Sequence, residues 1–345
     1  MSKKTLPLFI SAAFLTLLFI KCPSLTSSCV ERGISTCLGA IIPSLFPLMV
    51  VSEILCGCGI IDYMGKLFGK QGRLLGRSPK SAVSVIVGLL LGFPVGTRML
   101  AGLYDRGEID KDELERTIGV CGIPSFGFLS GVLGSKAFSS RRFGIFMYFA
   151  AILAALTVCG FYQKRCGDSA SDHSYIKQRK GSATIVTESL SSAARATLTL
   201  CAYIIFFSCI SGCISAIIGN IHLGAFASVA LELTSGIFSS AALKGKEGLL
   251  LCGFAVGWGG LSVHCQTMAL LGGRVTNYRH YFIQKLAQAI LCAASALAFT
   301  TVSLPLADTE IAASLNIASP SPITLCMLAV GIFLHIKAKT PNAKR

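Results

Sequence analysis

Four stretches of this chain set polar or backbone-breaking residues inside apolar runs. The richest is Gly253–Gln266 (GFAVGWGGLSVHCQ), where Gly257, Gly259 and Gly260 surround the single tryptophan and Ser262, His264 and Gln266 alternate after it. Each of those polar groups needs a partner if it is held away from water. No nucleophile elbow frames Ser262, so a serine–histidine hydrolase is not the reading; polar binding is the chemistry on offer. The second stretch runs Gly92-Phe93-Pro94-Val95-Gly96-Thr97-Arg98. Its glycines permit positive φ and close backbone approach, and Pro94 removes a donor, so a helix break that exposes backbone groups to a ligand is expected. Arg98 is placed to neutralise a substrate, to pair with an acid, or to snorkel to an interface. The third, Cys121-Gly122-Ile123-Pro124-Ser125-Phe126-Gly127, reads as another break. The fourth is Pro43-Ser44-Leu45-Phe46-Pro47 followed by Ser52-Glu53, a kinked helix carrying an ionisable group whose burial is costly without a partner or cavity. Glu232, in the middle of an apolar run, mirrors that acid.

The elements that must position these groups follow from composition. Of 345 residues, 53% are hydrophobic and only 14% charged, with a mean hydropathy of +0.69. A soluble domain carries about 25% charged residues. This chain cannot coat a soluble surface, which excludes a soluble enzyme, a secreted disulfide scaffold or a nucleic-acid-binding domain as whole-chain readings. It has room for roughly ten spans of about 20 residues. The 15 cysteines fall mostly inside apolar segments, and an odd number argues against complete pairing. They read as small packing residues. Cys56-Gly57-Cys58 has no second Cys/His pair at zinc spacing, so no metal is expected.

Ten apolar segments are legible: Leu6–Ile20, Ile34–Ile61, Ser81–Tyr104, Ile118–Leu133, Phe143–Tyr162, Ala193–Ile218, Leu223–Leu243, Gly248–Leu271, Tyr281–Val302 and Ile323–Ile336. The first follows Lys3 and Lys4, and Lys21-Cys22-Pro23 is a poor cleavage site, so an uncleaved anchor is expected. A short charged helix is expected at Glu108–Arg116. The net charge of +15 comes from lysines and arginines clustered in short loops, the pattern of cytoplasmic loops facing anionic lipid. Asp62–Lys80 and Lys164–Lys180 are both strongly basic, yet three segments separate them. Three full crossings would put them on opposite sides. Five segments separate Lys180 from the basic tail at Lys337–Arg345, with the same conflict. One non-crossing segment in each half resolves both. Those interrupted by glycine and proline are the candidates: Ser81–Tyr104, and Leu223–Leu243 with Gly224, Ser235 and Gly236. Arg274, Arg279 and Lys285 then fall inside, Asp308 and Glu310 outside.

The fold expected is therefore an all-α polytopic membrane protein with about eight crossing helices and two re-entrant or broken ones, arranged as an inverted-topology repeat. Its divisions are an N-terminal anchor at 1–32, a first repeat at 33–163, a basic cytoplasmic linker at 164–192, a second repeat at 193–303, and a C-terminal helix and basic tail at 304–345. Both termini are expected in the cytoplasm.

Pro43–Leu55 (PSLFPLMVVSEIL), Gly92–Gly96 (GFPVG) and Gly257–Gln266 (GWGGLSVHCQ) resemble the motifs of the YlbJ-like sporulation integral membrane proteins of spore-forming Firmicutes, in the nucleoside-recognition or Gate domain superfamily. The resemblance covers roughly residues 30–300 in one motif order. It implies a role in spore formation around cortex assembly and a relation to nucleoside transporters. The family usually carries an Asn-Asn stretch where this chain has Cys121-Gly122-Ile123-Pro124.

The expected function is a carrier or channel, not an enzyme, for a small polar solute, nucleoside-like or cortex-related. Glu53, Arg98, Glu232, Ser262, His264 and Gln266 would contact solute or coupling ion. Gly92, Pro94, Gly96, Cys121, Gly122, Pro124, Ser125, Gly257, Gly259 and Gly260 would line the site. The partners expected are the lipid bilayer, the solute and a coupling ion, with a homo-oligomer left open; nucleic acid and cofactors are not expected. The alternative is a non-transporting scaffold or sensor that recruits envelope-assembly proteins through the basic loops.

Overall fold

The computed structural model describes residues 6–59, 63–64, 78–161, 181–243 and 245–303, and among these every regular element is helical. The strongly basic parts of 62–80 and 164–180, and the C-terminal helix and tail, lie outside or almost outside the described residues. The order is α1 (Leu6–Lys21), α2 (Pro23–Thr36), a π-helical turn (Cys37–Ile41), α3 (Ile42–Gly57), α4 (Pro79–Leu91), α5 (Val95–Asp105), α6 (Lys111–Thr117), a π-helical segment (Phe128–Ala137), α7 (Arg141–Phe161), α8 (Ser182–Ile218), α9 (Ile221–Leu231), α10 (Leu233–Leu243), α11 (Gly245–Trp258), α12 (Gly260–Leu271) and α13 (Arg279–Ser303). Five helical runs are long and apolar enough to cross a membrane: Pro23–Gly57, Arg141–Phe161, Ser182–Ile218, Gly245–Arg274 and Arg279–Phe299. The chain is an all-helical polytopic membrane protein.

Two of these runs pack along their length. Gly33 lies against Ile205, Gly57 against Ile185 and Gly212 against Cys29. As one number rises its partner's falls, so α2–α3 and α8 are antiparallel, with small residues letting the backbones approach as membrane helix pairs do. Gly253 sits on the backbone of Cys292 and Ala293, which brings α11 equally close to α13. None of the described cysteines is in a disulfide, and most are buried in such contacts.

The shorter helices form two hairpins. A Cβ on Gly96 would stand 2.7 Å from the Cα of Gly88, so α5 folds back on α4. A Cβ on Gly236 would stand 2.7 Å from the Cα of Val229, so α10 folds back on α9. Their arms of 13 and 11 residues, and of 11 and 11, reach about 20 and 16 Å, short of a hydrocarbon core of about 30 Å. Ion pairs show where each hairpin begins. Asp105, at the end of α5, binds Arg274 in a two-pronged pair at 2.5 and 2.7 Å, just past α12. Lys111 donates to Thr276 and Glu115 accepts from the Thr276 and Asn277 amides on the same surface. His222, at the start of α9, meets Glu247 at 2.7 Å, at the start of α11. The hairpin bases therefore lie at opposite ends of the α11–α12 run.

Several boundaries differ from the sequence expectation for local reasons. The second apolar run begins its helix at Pro23, eleven residues early, because a proline at the first helical position costs nothing there. The charged helix starts at Lys111 because Asp110 caps it, accepting from the Glu113 amide at 2.6 Å. The second hairpin turns at Glu232 instead of at Gly224, Ser235 or Gly236, which stay helical. Residues 118–125 are not helical at all. Lys285, expected at an inside surface, is 1% exposed.

Two outcomes test this packing. Gly96→Ala should destabilise the purified protein by at least about 1–3 kcal/mol through overpacking at the Gly88 backbone, whereas Gly131→Ala, with nothing near its Cβ, should not lower its thermal midpoint. The Arg274 guanidinium beside Asp105 holds its carboxyl below the usual range, so the pair's contribution is full above that range and is lost as pH falls through the lowered value. Asp105→Asn should therefore lower the midpoint slightly at pH 7, within the about 1 kcal/mol of an exposed pair, and the gap from wild type should close below about pH 4.

Candidate functional site

Four interruptions of the helical backbone meet at the centre of the structure, in two crossing pairs. Gly92, at φ +84°, lies on Ser125: a Cβ there would stand 2.7 Å from the Ser125 amide nitrogen, so the tip of the first hairpin rests on the unwound stretch 118–125. Gly260, at φ +80°, lies on Glu232: a Cβ there would stand 2.9 Å from the Glu232 amide nitrogen, so the tip of the second hairpin rests on the α11–α12 break. Only glycine suits both positions, by conformation and by space.

Between the two pairs lies a cavity of about 60 Å³. Phe93 lines it from the first tip, Gly122, Pro124 and Ser125 from the unwound stretch, Glu232 and Thr234 from the second tip, and Gly259, Ser262 and Gln266 from the α11–α12 break. Ile41 and Leu45 near the π turn, with Leu200 and Ile204 of α8, supply an apolar wall. The volume admits a few water molecules, well under the about 300–1,000 Å³ of small-molecule pockets, and the walls are apolar with a few convergent polar groups.

Glu232 is 2% exposed and its carboxylate caps α10. Oε1 accepts from the Thr234 amide at 2.9 Å, Oε2 from the Ser235 amide at 2.6 Å and from the Ser208 hydroxyl at 3.3 Å. A helix N-terminus compensates the negative charge. Across the cavity Gln266 donates to the Ser262 hydroxyl oxygen at 3.1 Å, one helical turn apart, and both face the space.

The other expected site residues are placed elsewhere. His264 is fully buried on the opposite side of α12, its ring 4.3 Å from that of Trp258 and 5.2 Å from that of Phe282. Thr267 spends its hydroxyl proton on the Val263 carbonyl, so the Tyr281 hydroxyl donates to Thr267 and His264 Nδ1 donates to Tyr281 at 2.8 Å. That tautomer leaves Nε2 an acceptor without a protein partner. Glu53 and Arg98 pair at 2.9 Å, and Arg98 also donates to Ser192 at 2.5 Å. This link ties α3 and the first hairpin to α8, away from the cavity. Gly92, Gly96 and Cys121 form the packed joint of the first crossing, with Cys121 against the Gly88–Gly96 notch. Pro94 immediately precedes α5, Gly257 sits on the backbone of Gln288 and Ala289, and Gly260 forms the second joint.

Three residues escaped the sequence reading. Gln284, Lys285 and Gln288 form one buried face of α13 and hydrogen-bond three carbonyls, three residues apart, at and before the unwound stretch: Gln284 donates to Arg116 at 2.8 Å, Gln288 to Gly119 at 2.8 Å and Lys285 to Gly122 at 2.8 Å. Their spacing over one helical turn inside an apolar run was the available signal. Tyr148 does the same for Leu89 and Leu90 at the end of α4, and Trp258 for Ala230 at the end of α9. Among the described residues, no cluster of His, Cys, Asp and Glu is placed to hold a metal ion.

No family model matches the chain, and no solved structure does. The chain is similar to the sporulation integral membrane protein YlbJ of Bacillus subtilis (strain 168), at 23% identity over 322 residues that span 81% of this chain and 79% of that protein.

Proposed function

We propose that this chain is a carrier for a small polar solute, of inverted-repeat design, and that it works in sporulation at the spore cortex as a YlbJ-like protein. One observation carries the reading: hairpins too short to cross begin at opposite ends of the α11–α12 run, and both tips line a single cavity. In inverted-repeat transporters, broken helices from the two halves meet at the midplane around the substrate. The order of elements supports the repeat. Each half offers a long helix, a hairpin, a broken crossing element and a long helix, and the two halves run in opposite senses. The first long helices, Pro23–Gly57 and Ser182–Ile218, pack on each other, and so do the last, α7 and α13, through Phe143, Phe146 and Phe299.

Five of the described runs are long and apolar enough to cross; on this reading the ten apolar segments of the sequence make eight crossings and two re-entrant hairpins. Asp105, Lys111 and Arg274 share the surface from which α8 starts, which is the cytoplasmic one on the placement of the basic loops. Both termini then fall inside. The polar contacts available to a solute are Ser262, Gln266, Thr234 and the free edge of the Glu232 carboxylate. Hydroxyls and an amide suit a neutral polar molecule, with nucleosides the members suggested by the Gate-like motifs.

Purified protein in liposomes should take up at least one labelled solute from a panel of nucleosides, amino sugars and small polyols. Gln266→Leu should weaken that solute's binding about 10-fold or more at unchanged folded yield, because it strips a buried hydrogen-bonding group from the cavity. His264→Phe should instead lower the thermal midpoint and leave affinity within about 2-fold, since the ring faces α13. Normal sporulation of cavity variants, with loss on neutralising the lysines of 62–80 and 164–180, would replace the carrier with a scaffold.

A further inference from the structure

Lys285 is a buried cation that neither snorkels to an interface nor, among the described residues, meets an acid. It stands six residues inside α13, about 9 Å from the helix start, and is 1% exposed. Its Nζ donates to the Gly122 carbonyl at 2.8 Å and to Gln288 Oε1 at 3.3 Å. Among the described residues no carboxylate is within ion-pairing distance of it. The Gln288 oxygen is held toward the ammonium because the same amide's Nε2 is spent on the Gly119 carbonyl at 2.8 Å. Gln288 is itself 1% exposed, so this arrangement is built and dry. The Gly122 carbonyl belongs to non-helical backbone that lines the cavity on its other face.

A monovalent positive charge bound only by neutral carbonyl oxygens, one of them from unwound backbone at a helix break, has the chemistry of an alkali-cation site in a membrane protein. Free sodium or potassium is held in this way, by oxygens that replace its hydration shell. Here the charge is delivered on a side chain. We propose that the carbonyls of Gly122 and Gln288 form a monovalent-cation site that the chain fills permanently with the Lys285 ammonium. The tethered charge does what a bound cation does for such backbone: it holds the Gly122 carbonyl directly and, through Gln288, the Gly119 carbonyl, and so holds the break open beside the cavity. Unlike a coupling ion it cannot leave. The first-half break is therefore insensitive to sodium and potassium in the wild-type protein.

The packing of α13 on 116–122 is read out in the folded protein without measuring transport. Lys285→Ala removes three methylenes and the ammonium, a space matched by propylammonium. The thermal midpoint of the purified variant in detergent should fall by at least about 5 °C. Millimolar propylammonium chloride should restore half or more of that loss in the variant and leave wild type unchanged. Two probes separate charge from filling: n-propanol has the same shape without the charge, and tetramethylammonium has the charge without an N–H. Neither should rescue. Rescue by n-propanol equal to that by propylammonium would overturn the proposal, as would no rescue by any amine. If Lys285→Ala does not accumulate, Lys285→Arg and Lys285→Met carry the test. The arginine variant should accumulate near the wild-type level and the methionine variant well below it; equal accumulation of the methionine variant and wild type would overturn the assignment.

Discussion

Backbone that leaves the helix at membrane depth has no water to bond, and each orphaned amide or carbonyl costs several kcal/mol unless the protein supplies a partner. Most of the polar chemistry in the middle of this chain answers that demand. Tyr148 caps the carbonyls at the end of α4, the Phe93 amide bonds the Ile123 carbonyl at 2.8 Å, and Ser125 Oγ accepts from the Phe128 amide at 3.3 Å. Trp258 serves the end of α9, Glu232 the start of α10, and the Gln284–Lys285–Gln288 face the carbonyls of 116–122. Most of these partners lie in the same half as the break they serve, but the largest set crosses between halves. The polar face of α13 lies in the second half and the carbonyls it binds lie in the first. That dependence welds the halves together.

Glycine makes the geometry possible where two breaks cross. Gly92 against Ser125 and Gly260 against Glu232 are contacts of backbone on backbone, closer than any side chain allows. Each crossing brings the end of one helix and the start of another into a small volume, so partial charges of both signs face the cavity. The Glu53–Arg98–Ser192 link and the Asp105–Arg274 pair then fix the first hairpin to α8 and to the end of α12, well away from the cavity.

Much of this was legible in the residues. The basic loops led to the expectation of one non-crossing segment per half, and the two segments singled out for it, Ser81–Tyr104 and Leu223–Leu243, each fold as a hairpin. Gly122, Pro124, Ser125, Glu232, Gly259, Ser262 and Gln266 do meet in one cavity. His264 does not, because alternation along the sequence is not a helical face: at 100° per residue, 259, 262, 263 and 266 share a side and 264 points away. The turn at Glu232 was missed for a related reason. Glycine and serine mark weak points in a helix, but an acid that caps a new one supplies a positive reason to start it. Lys285 was read as a surface charge, since nothing local to it reveals carbonyls 163 positions earlier.

The two charges nearest the cavity are of opposite sign and are each consumed by the fold. Glu232 is spent on the amides that open α10, and Lys285 on the carbonyls of 119–122, Gln288 being its go-between. Both charges come from the second half: one answers a helix start in that half, the other an unwound carbonyl in the first. What remains to face the space is Ser262, Gln266, Thr234, the free edge of the Glu232 carboxylate and apolar wall. On the proposed carrier reading, that compensation of both built-in charges argues for a neutral polar solute over an ion, since an ion would have to displace a bond that holds the backbone in place.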